Sequence, residues 1–191
     1  MGDSPKIFRR IQEHSCTAAI WRRQALPSFQ TWINALQPSQ LPVARLILRP
    51  HAVCEAIGYT CDLAGTPAGP KRTMLAEDIA ALAQIFASVT EAAHLRLRLS
   101  VLSPDSPAED ALEGSPVRLV CTYRGAGTEY GFGIQDVARS VPVSSVLMTR
   151  PCDTERQFWH RDPPVERVTD TRLQLTLDAV SEREAAPKTV H

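Results

Sequence analysis

The sequence predicts an α+β fold in which N-terminal helices pack on an antiparallel sheet or barrel. Apolar residues recur at helical spacing in the first half of the chain, and in the second half they alternate with polar residues, which is the period of a half-buried strand. Helices followed by a run of strands are typical of α+β proteins. With 191 residues, the chain is long enough for one domain with its own core.

Three helical segments are predicted in the first half. The first follows Ser28, a potential cap, and ends before Pro38. The second and weaker one covers residues 51–63, while residues 43–48 are short and apolar and fit either a strand or a helix. The third helix is marked by an apolar stripe of Leu75, Ile79, Leu82, Phe86 and Val89.

Four segments of the second half are predicted to be strands, at residues 95–101, 117–124, 146–149 and 173–177. The strand at 117–124 runs into Gly-Ala-Gly at residues 125–127. No βαβ pattern surrounds these glycines, so we expect a tight turn or a bulge and not a dinucleotide-binding loop.

The predicted organisation is one globular domain over residues 16–180, helical over 16–92 and β-rich over 93–180. Residues 1–15 are polar and are expected to form a flexible N-terminus. Residues 181–191 are expected to form a disordered tail.

Composition argues against nucleic acid and membrane as partners. Lys plus Arg equals Asp plus Glu at 21 each, so the net charge is zero, and no apolar run approaches the ~20 residues of a membrane span. The five cysteines include no Cys-x-x-Cys pair, and they predict reduced thiols in the cytoplasm. Cys121 is expected to be a small buried hydrophobe. The arginine pairs at 22–23 and 96–98 are expected on solvated faces.

Three segments resemble one bacterial family. Residues 118–130 read Arg-Leu-Val-Cys-Thr-Tyr-Arg-Gly-Ala-Gly-Thr-Glu-Tyr. Residues 20–24 contain a Trp-x-Arg motif, and residues 160–164 read His-Arg-Asp-Pro-Pro, followed by Thr-Arg-Leu-Gln-Leu-Thr-Leu-Asp at 171–178. In order and spacing these segments resemble domain of unknown function family 1826, and the likeness covers roughly residues 18–180.

The resemblance implies a double-stranded β-helix, a cupin- or jelly-roll-like barrel, similar to that of iron- and 2-oxoglutarate-dependent oxygenases. Those enzymes hold Fe(II) with a His-x-Asp pair and a distal His, and an Arg on the last strand grips a carboxylate. The resemblance puts His160 and Arg172 in the last two roles. Fe(II) and 2-oxoglutarate are the cofactors implied if this chemistry is retained.

One departure from the family pattern concerns the metal. Family members usually carry Phe-His-x-Asp immediately before the strand that begins at Arg118, and this chain has Ala111 where the His is expected and Glu113 where the Asp is expected. Alanine has no donor atom. Glu113 and His160 would supply two ligands at most, against the three that are usual at a catalytic metal, so a degraded metal site is predicted.

The remaining candidates each have a functional and a structural interpretation. His160 is a candidate ligand or active-site base, or else a hydrogen-bonded structural histidine. Glu129 is a candidate catalytic carboxylate, although a carboxylate after a Gly-x-Gly turn often accepts backbone N–H groups. The candidate ligand-binding residues are Arg118, Thr122, Arg161 and Arg172.

The interpretation of those ligand-binding residues depends on which way the strands face. Arg118 and Thr122 share one strand face and line a pocket if that face is the barrel interior. Arg172 is a candidate anion clamp, with an arginine in solvent, or one paired with Asp170 or Asp178, as the alternative.

Three functions remain open from the sequence. The first is an oxygenase-like barrel with a degraded metal site that binds a small anionic ligand or a protein partner without metal catalysis. The second is an active non-haem iron oxygenase with altered ligands. The third is a structural or interaction subunit of a larger complex, with aromatic anchors at residues 158–159.

Overall fold

The computed structural model describes residues 1–104, 117–133, 136–150, 158–167 and 170–181. Within them the fold is mixed α/β with antiparallel sheets, which confirms the predicted α+β class at that level. The three α-helices are α1 (Pro27–Ala35), α2 (Val53–Leu63) and α3 (Pro70–Thr90). Helix α1 begins at Pro27 and has no side-chain cap, so Ser28 is not the cap that the sequence predicted.

The larger sheet has six strands in the order β1-β7-β4-β9-β3-β2. They are β1 (Ala18–Trp21), β2 (Ala44–Leu48), β3 (His94–Leu102), β4 (Arg118–Arg124), β7 (Val146–Thr149) and β9 (Arg172–Val180). The smaller sheet has the order β6-β5-β8, with β5 (Glu129–Phe132), β6 (Arg139–Ser140) and β8 (Phe158–Arg161). All strand pairs of both sheets that the structure describes are antiparallel.

One face of the larger sheet carries the main hydrophobic core. Residues such as Leu97, Cys121 and Leu175 alternate along their strands and meet the buried faces of the helices. Helix α3 is long and apolar enough to cross a membrane by length and composition alone. Its buried residues, among them Ile79 and Phe86, lie in this core, as expected of the core helix of a globular protein.

The opposite face of the larger sheet is polar and still buried. In the centre of the sheet this face presents Thr122, Gln174 and Thr176, each at most 5% exposed. The smaller sheet packs against part of this face, since Tyr130 clusters with Leu147. The described parts of the two sheets do not close into one barrel.

The N-terminal segment differs from the sequence expectation. Residues 1–15 were expected to be flexible, but Pro5–Gln12 forms a 3₁₀ helix that buries Phe8 and Ile11 completely or nearly so. Two apolar residues three positions apart fall on one side of a 3₁₀ helix. Because the rest of the stretch is mostly polar, these two residues were too few to predict the helix from the sequence. Arg150 holds the end of this segment by donating to the carbonyl oxygens of Ile11 and His14, both at 3.1 Å.

The glycines after β4 allow two close backbone approaches. Gly125 has φ of +84°, a conformation that side chains with a Cβ rarely adopt. A Cβ at Gly127 would lie 1.9 Å from the carbonyl oxygen of Val141. Together with the irregular register between Thr122 and Arg124, these positions form the bulged turn that the sequence predicted.

Candidate functional site

The candidate site is built on the polar face of the larger sheet, which we call the polar layer. Its members come from β3, β4 and β9, the three adjacent strands at the centre of the sheet. Because alternate residues of a strand share a face, Arg118 and Thr122 lie on the same side, as the sequence predicted, and Thr122 is opposite Gln174 in the register. The polar layer consists of Arg98, Arg118, Thr122, Arg172, Gln174, Thr176 and Asp178.

Asp178 holds one half of the polar layer together. Its carboxylate has no exposed surface and accepts two hydrogen bonds from Arg118, at 2.8 and 3.3 Å, while Arg98 lies 3.7 Å away. A buried carboxylate needs such positive partners to offset its loss of water. Arg98 was expected on a solvated face, but it is only 7% exposed because this side of the strand is covered.

Arg172 lies in the other half, at the start of β9. It is 1% exposed, and one Nη donates to the carbonyl oxygen of Pro163 at 2.5 Å. Its other Nη is 4.0 Å from Asp162. Its Nε–H is buried and has no partner among the described residues. Burial lowers the pKa of Arg172, and the nearby carboxylates of Asp162 and Glu129 oppose that shift.

A cleft of about 700 Å³ adjoins Arg172. Arg124 lines the same cleft, is 8% exposed, and donates to the carbonyl oxygen of Leu36 at 2.7 Å. Burial lowers the pKa of Arg124 as well. The acidic residues of the lining, Glu166 and Asp170, are exposed, so the two guanidinium groups form the buried part of the cleft and the carboxylates lie at its rim.

Asp162 connects the smaller sheet to the polar layer. One carboxylate oxygen accepts hydrogen bonds from Gln174 at 2.8 Å and from Thr128 at 2.9 Å. Asp162 was not predicted as a site residue from the sequence. The available signal was its spacing, because a residue two positions after His160 lies on the same side of an extended segment.

His160 lies on β8, opposite Tyr130 of β5. Its ring stacks on Phe158 with 5.9 Å between centroids, on the side of the smaller sheet that faces the larger one. The residue keeps exposed surface, yet partial burial of the ring is the main effect lowering its pKa. The positive charge of Arg118 lowers the pKa further, and Asp162 opposes the shift.

Glu129 and Arg161 lie on the outer side of the smaller sheet. They lie opposite each other in the antiparallel pairing of β5 and β8, and Nε of Arg161 is 2.8 Å from a carboxylate oxygen of Glu129. The guanidinium group of Arg161 also stacks over the Trp159 ring, 5.5 Å from its centroid. Tyr130 and His160 are the next pair along, so strand alternation puts Glu129 and His160 on opposite faces. The structure therefore does not bring these two candidate catalytic residues together on one face.

The set of side chains required to bind Fe(II) is incomplete among the residues that the structure describes. No group of three His, Cys, Asp or Glu side chains close enough to hold a metal occurs in those parts of the chain. His160 and Asp162 supply two possible donors against the three expected. Ala111 and Glu113, on which the predicted degraded site depends, lie outside the described residues. A carboxylate, in contrast, fits the unpartnered Nε–H of Arg172.

The fold and the site are those of a mixed α/β protein with a polar layer between two antiparallel sheets. The chain belongs to the family described as Protein of unknown function (DUF1826), which matches residues 2–178. This confirms the family resemblance predicted from the three motifs.

Two solved structures of oxygenases are similar to this chain at low identity. A prolyl-4-hydroxylase from Pseudomonas putida is 14% identical, with 92% of this chain and 93% of that chain covered and a TM-score of 0.46. An oxidoreductase of the 2OG-Fe(II) oxygenase family from Burkholderia pseudomallei is also 14% identical, with 92% and 89% covered and a TM-score of 0.38. No curated protein matches the sequence.

Proposed function

We propose that this protein binds a small organic anion in the cleft beside Arg124 and Arg172. The observation that carries the proposal is the state of Arg172, which is buried, positively charged and left with an unpartnered Nε–H. A carboxylate could accept hydrogen bonds from Nε and one Nη in parallel, which is the arrangement that a guanidinium group favours. Such a ligand would satisfy a donor that is otherwise costly to bury.

Arg124 supplies the second positive charge of this site. Its strand position pairs with Leu173, the residue after Arg172, so the two arginines start from neighbouring backbone positions. Gly125 allows this approach, because a Cβ there would lie 3.0 Å from the Cα of Arg172. A ligand with two acidic groups, such as a dicarboxylate, matches two guanidinium groups that share one cleft.

The scaffold that we propose is a double-stranded β-helix. From β4 to β9 the chain alternates between the two sheets once β5 and β6 are counted as one hairpin: β4 is in the larger sheet, β5 and β6 are in the smaller, β7 is in the larger, β8 in the smaller and β9 in the larger. This alternation is expected when an antiparallel chain winds around a jelly-roll barrel. It supports assigning the polar layer to the inside of the barrel.

The proposal treats the family's metal site as degraded. Its support is chemical: Ala111 stands where the family usually has a histidine, and alanine has no atom that binds a metal. In this proposal the remaining His160 and Asp162 belong to the polar wall of the barrel, and the anion is held by arginines.

Calorimetric titration with 2-oxoglutarate in the presence of a metal chelator tests the proposal. We expect saturable binding by the wild-type protein and at least a tenfold loss of affinity in Arg172→Met, since one charged hydrogen-bonded contact contributes about 1.5–3 kcal/mol. Arg22→Met is the matched control, because Arg22 is an exposed arginine paired with Asp3, outside the cleft. Equal binding by the wild type and Arg172→Met would contradict the proposal.

A second candidate function is metal-dependent activity with an altered ligand set. It is favoured by Asp162, a carboxylate that acts electrostatically on His160 and is absent from the family's usual His-Arg-Ser-Pro-Pro motif. Metal analysis distinguishes the two candidates. The second candidate would be established if the purified protein contained stoichiometric iron or zinc and if both His160→Ala and Asp162→Asn lost this metal. It would be rejected if the protein bound no metal after incubation with Fe(II).

A further inference from the structure

A second cavity lies on the helical side of the larger sheet, away from the polar layer. Its volume is about 380 Å³, within the range of ~300–1,000 Å³ that is usual for small-molecule sites. The apolar part of its lining comes from Ala25, Leu26 and Phe29 of the α1 region and from Met74 of α3. The polar part comes from Arg23, Gln24, Glu77, Asp78, Tyr123 and Ser144.

Arg23, Asp78 and Tyr123 of this cavity already satisfy one another. Arg23 donates to both carboxylate oxygens of Asp78, at 2.6 and 2.7 Å, and Tyr123 donates its hydroxyl proton to the same carboxylate at 2.6 Å. Arg23 also donates to the carbonyl oxygen of Ser144 and, at 3.4 Å, to the sulfur of Cys121. The sequence had put Arg23 on a solvated face, but its side chain is 17% exposed.

The inner end of the cavity is neutral, and this has a consequence for the ligand. The Arg23–Asp78 ion pair has no net charge, and the remaining charged residue of the lining, Glu77, is exposed and gives the lining its one net negative charge. A charged ligand would lose its water without gaining an opposite charge at the inner end of the cavity. The electrostatics therefore favour an uncharged molecule.

Ser144 differs from the other polar groups of the lining. It has φ of +66°, a left-handed conformation that is uncommon for residues with a Cβ and often accompanies a functional constraint. Its N–H donates to the carbonyl oxygen of Thr122 at 2.7 Å, which fixes the residue in place. Its hydroxyl is buried and has no partner among the described residues. A buried hydroxyl without a partner is costly, and a ligand atom can supply what is missing.

We propose that this cavity binds a small neutral molecule with an apolar body and one oxygen that hydrogen-bonds to the Ser144 hydroxyl. An alcohol, a phenol or a carbonyl compound has this chemistry. The apolar body lies against Leu26, Phe29 and Met74, and Leu26, which is 57% exposed in the free protein, becomes covered. The site is separate from the anion cleft and takes a different class of ligand.

Methionine methyl NMR tests this proposal with a pair of probes, 4-methylphenol and toluene. The chain has three methionines, of which Met74 lines the cavity, Met148 is in the core and Met1 is exposed. We expect both probes to shift the Met74 signal saturably and to leave Met148 and Met1 unchanged. Because 4-methylphenol alone can bond to Ser144, we expect it to bind about fivefold more tightly than toluene.

Two variants remove the hydroxyl in different backbone contexts. Ser144→Ala keeps the strain of the left-handed conformation, whereas Ser144→Gly relieves it. We therefore expect at least one of the two variants to fold as the wild type does. An unchanged Met148 signal shows that the core is intact. In either variant the preference for 4-methylphenol over toluene should disappear while toluene binding persists. No saturable shift of Met74 in the wild type, or an unchanged preference in both variants, would overturn the proposal.

Discussion

Arg172 shows at the scale of one residue what the sequence could and could not predict. Its position on the last strand was predicted, and so was its possible role as an anion clamp. Its burial was not, because a strand with alternating polar residues normally turns them toward water. Here one face of β9 packs against the helices and the opposite face is also covered. Every residue of the strand except Ala179 is at most 6% exposed.

The environment of His160 predicts its titration behaviour. Partial burial and Arg118 hold its pKa below the ordinary value of 6.5, so folding favours the neutral ring. The unfolded state then binds more protons than the native state between the two pKa values. The stability contribution is therefore complete above pH 6.5 and falls as the pH drops through that window. NMR titration of the His160 ring measures the shift directly.

Two variants separate the causes of this shift. Arg118→Met removes a positive charge, and we expect it to raise the pKa of His160 toward 6.5. Asp162→Asn removes a negative charge of nearly the same shape, and we expect it to lower the pKa further. Shifts in the same direction in both variants would show that His160 does not face these two residues.

At the scale of elements, the long segments were predictable and the short ones were not. The period-2 pattern indicated β3, β4 and β9, and the apolar stripe indicated α3, while the four-residue β7 was predicted as a short strand candidate without a period. Strands β1, β5 and β8 have four residues each, which is too short for a period to stand out. These short strands form much of the smaller sheet and one edge of the larger, so the sequence could not show that the polar face is covered.

The N-terminal 3₁₀ helix gives a stability prediction. Phe8 has no exposed surface and packs against Trp21 with 6.2 Å between ring centroids. We expect Phe8→Ala to reduce the free energy of unfolding by about 3–5 kcal/mol, as for other buried aromatic residues. Arg9→Ala, an exposed position beside it, should change it by less than about 0.5 kcal/mol. Denaturant unfolding compares the two, and equal effects would mean that the segment is not part of the core.

The turn after β4 gives a second prediction at this scale, using two glycines. Gly127→Ala would put a Cβ against the Val141 carbonyl oxygen, and we expect a loss of about 1–3 kcal/mol or more. Gly58 lies in α2 and an added Cβ there meets no atom within 4 Å, so Gly58→Ala should stabilise the protein by about 0.5–1 kcal/mol. Thermal unfolding measures both changes, and a tolerated Gly127→Ala would mean that this close approach does not exist.

At the scale of the whole molecule, the two sheets determine which predicted residues meet. Strand alternation on β4 correctly put Arg118 and Thr122 on one face. It could not relate residues on different strands, so the sequence did not show that the two separate candidates His160 and Glu129 lie on opposite faces of the smaller sheet. Arg124 and Asp162 were missed for the same reason, since their partners are distant in the chain.

The whole fold thus supports two separate sites on the two faces of one sheet. The helical face bears a cavity whose inner end is a satisfied ion pair, and the polar face ends in a cleft with two buried arginines. In the second of these sites, we propose, the protein recognises an anion through Arg172.

A crystal structure of the protein soaked with bromosuccinate, located by the anomalous scattering of bromine, tests that claim most directly. The account predicts a bromine peak in the cleft, with one carboxylate of the ligand within hydrogen-bond distance of Nε of Arg172 and the other directed toward Arg124. A peak elsewhere on the protein, or a cleft that stays empty at a concentration that saturates the calorimetric signal, would contradict it.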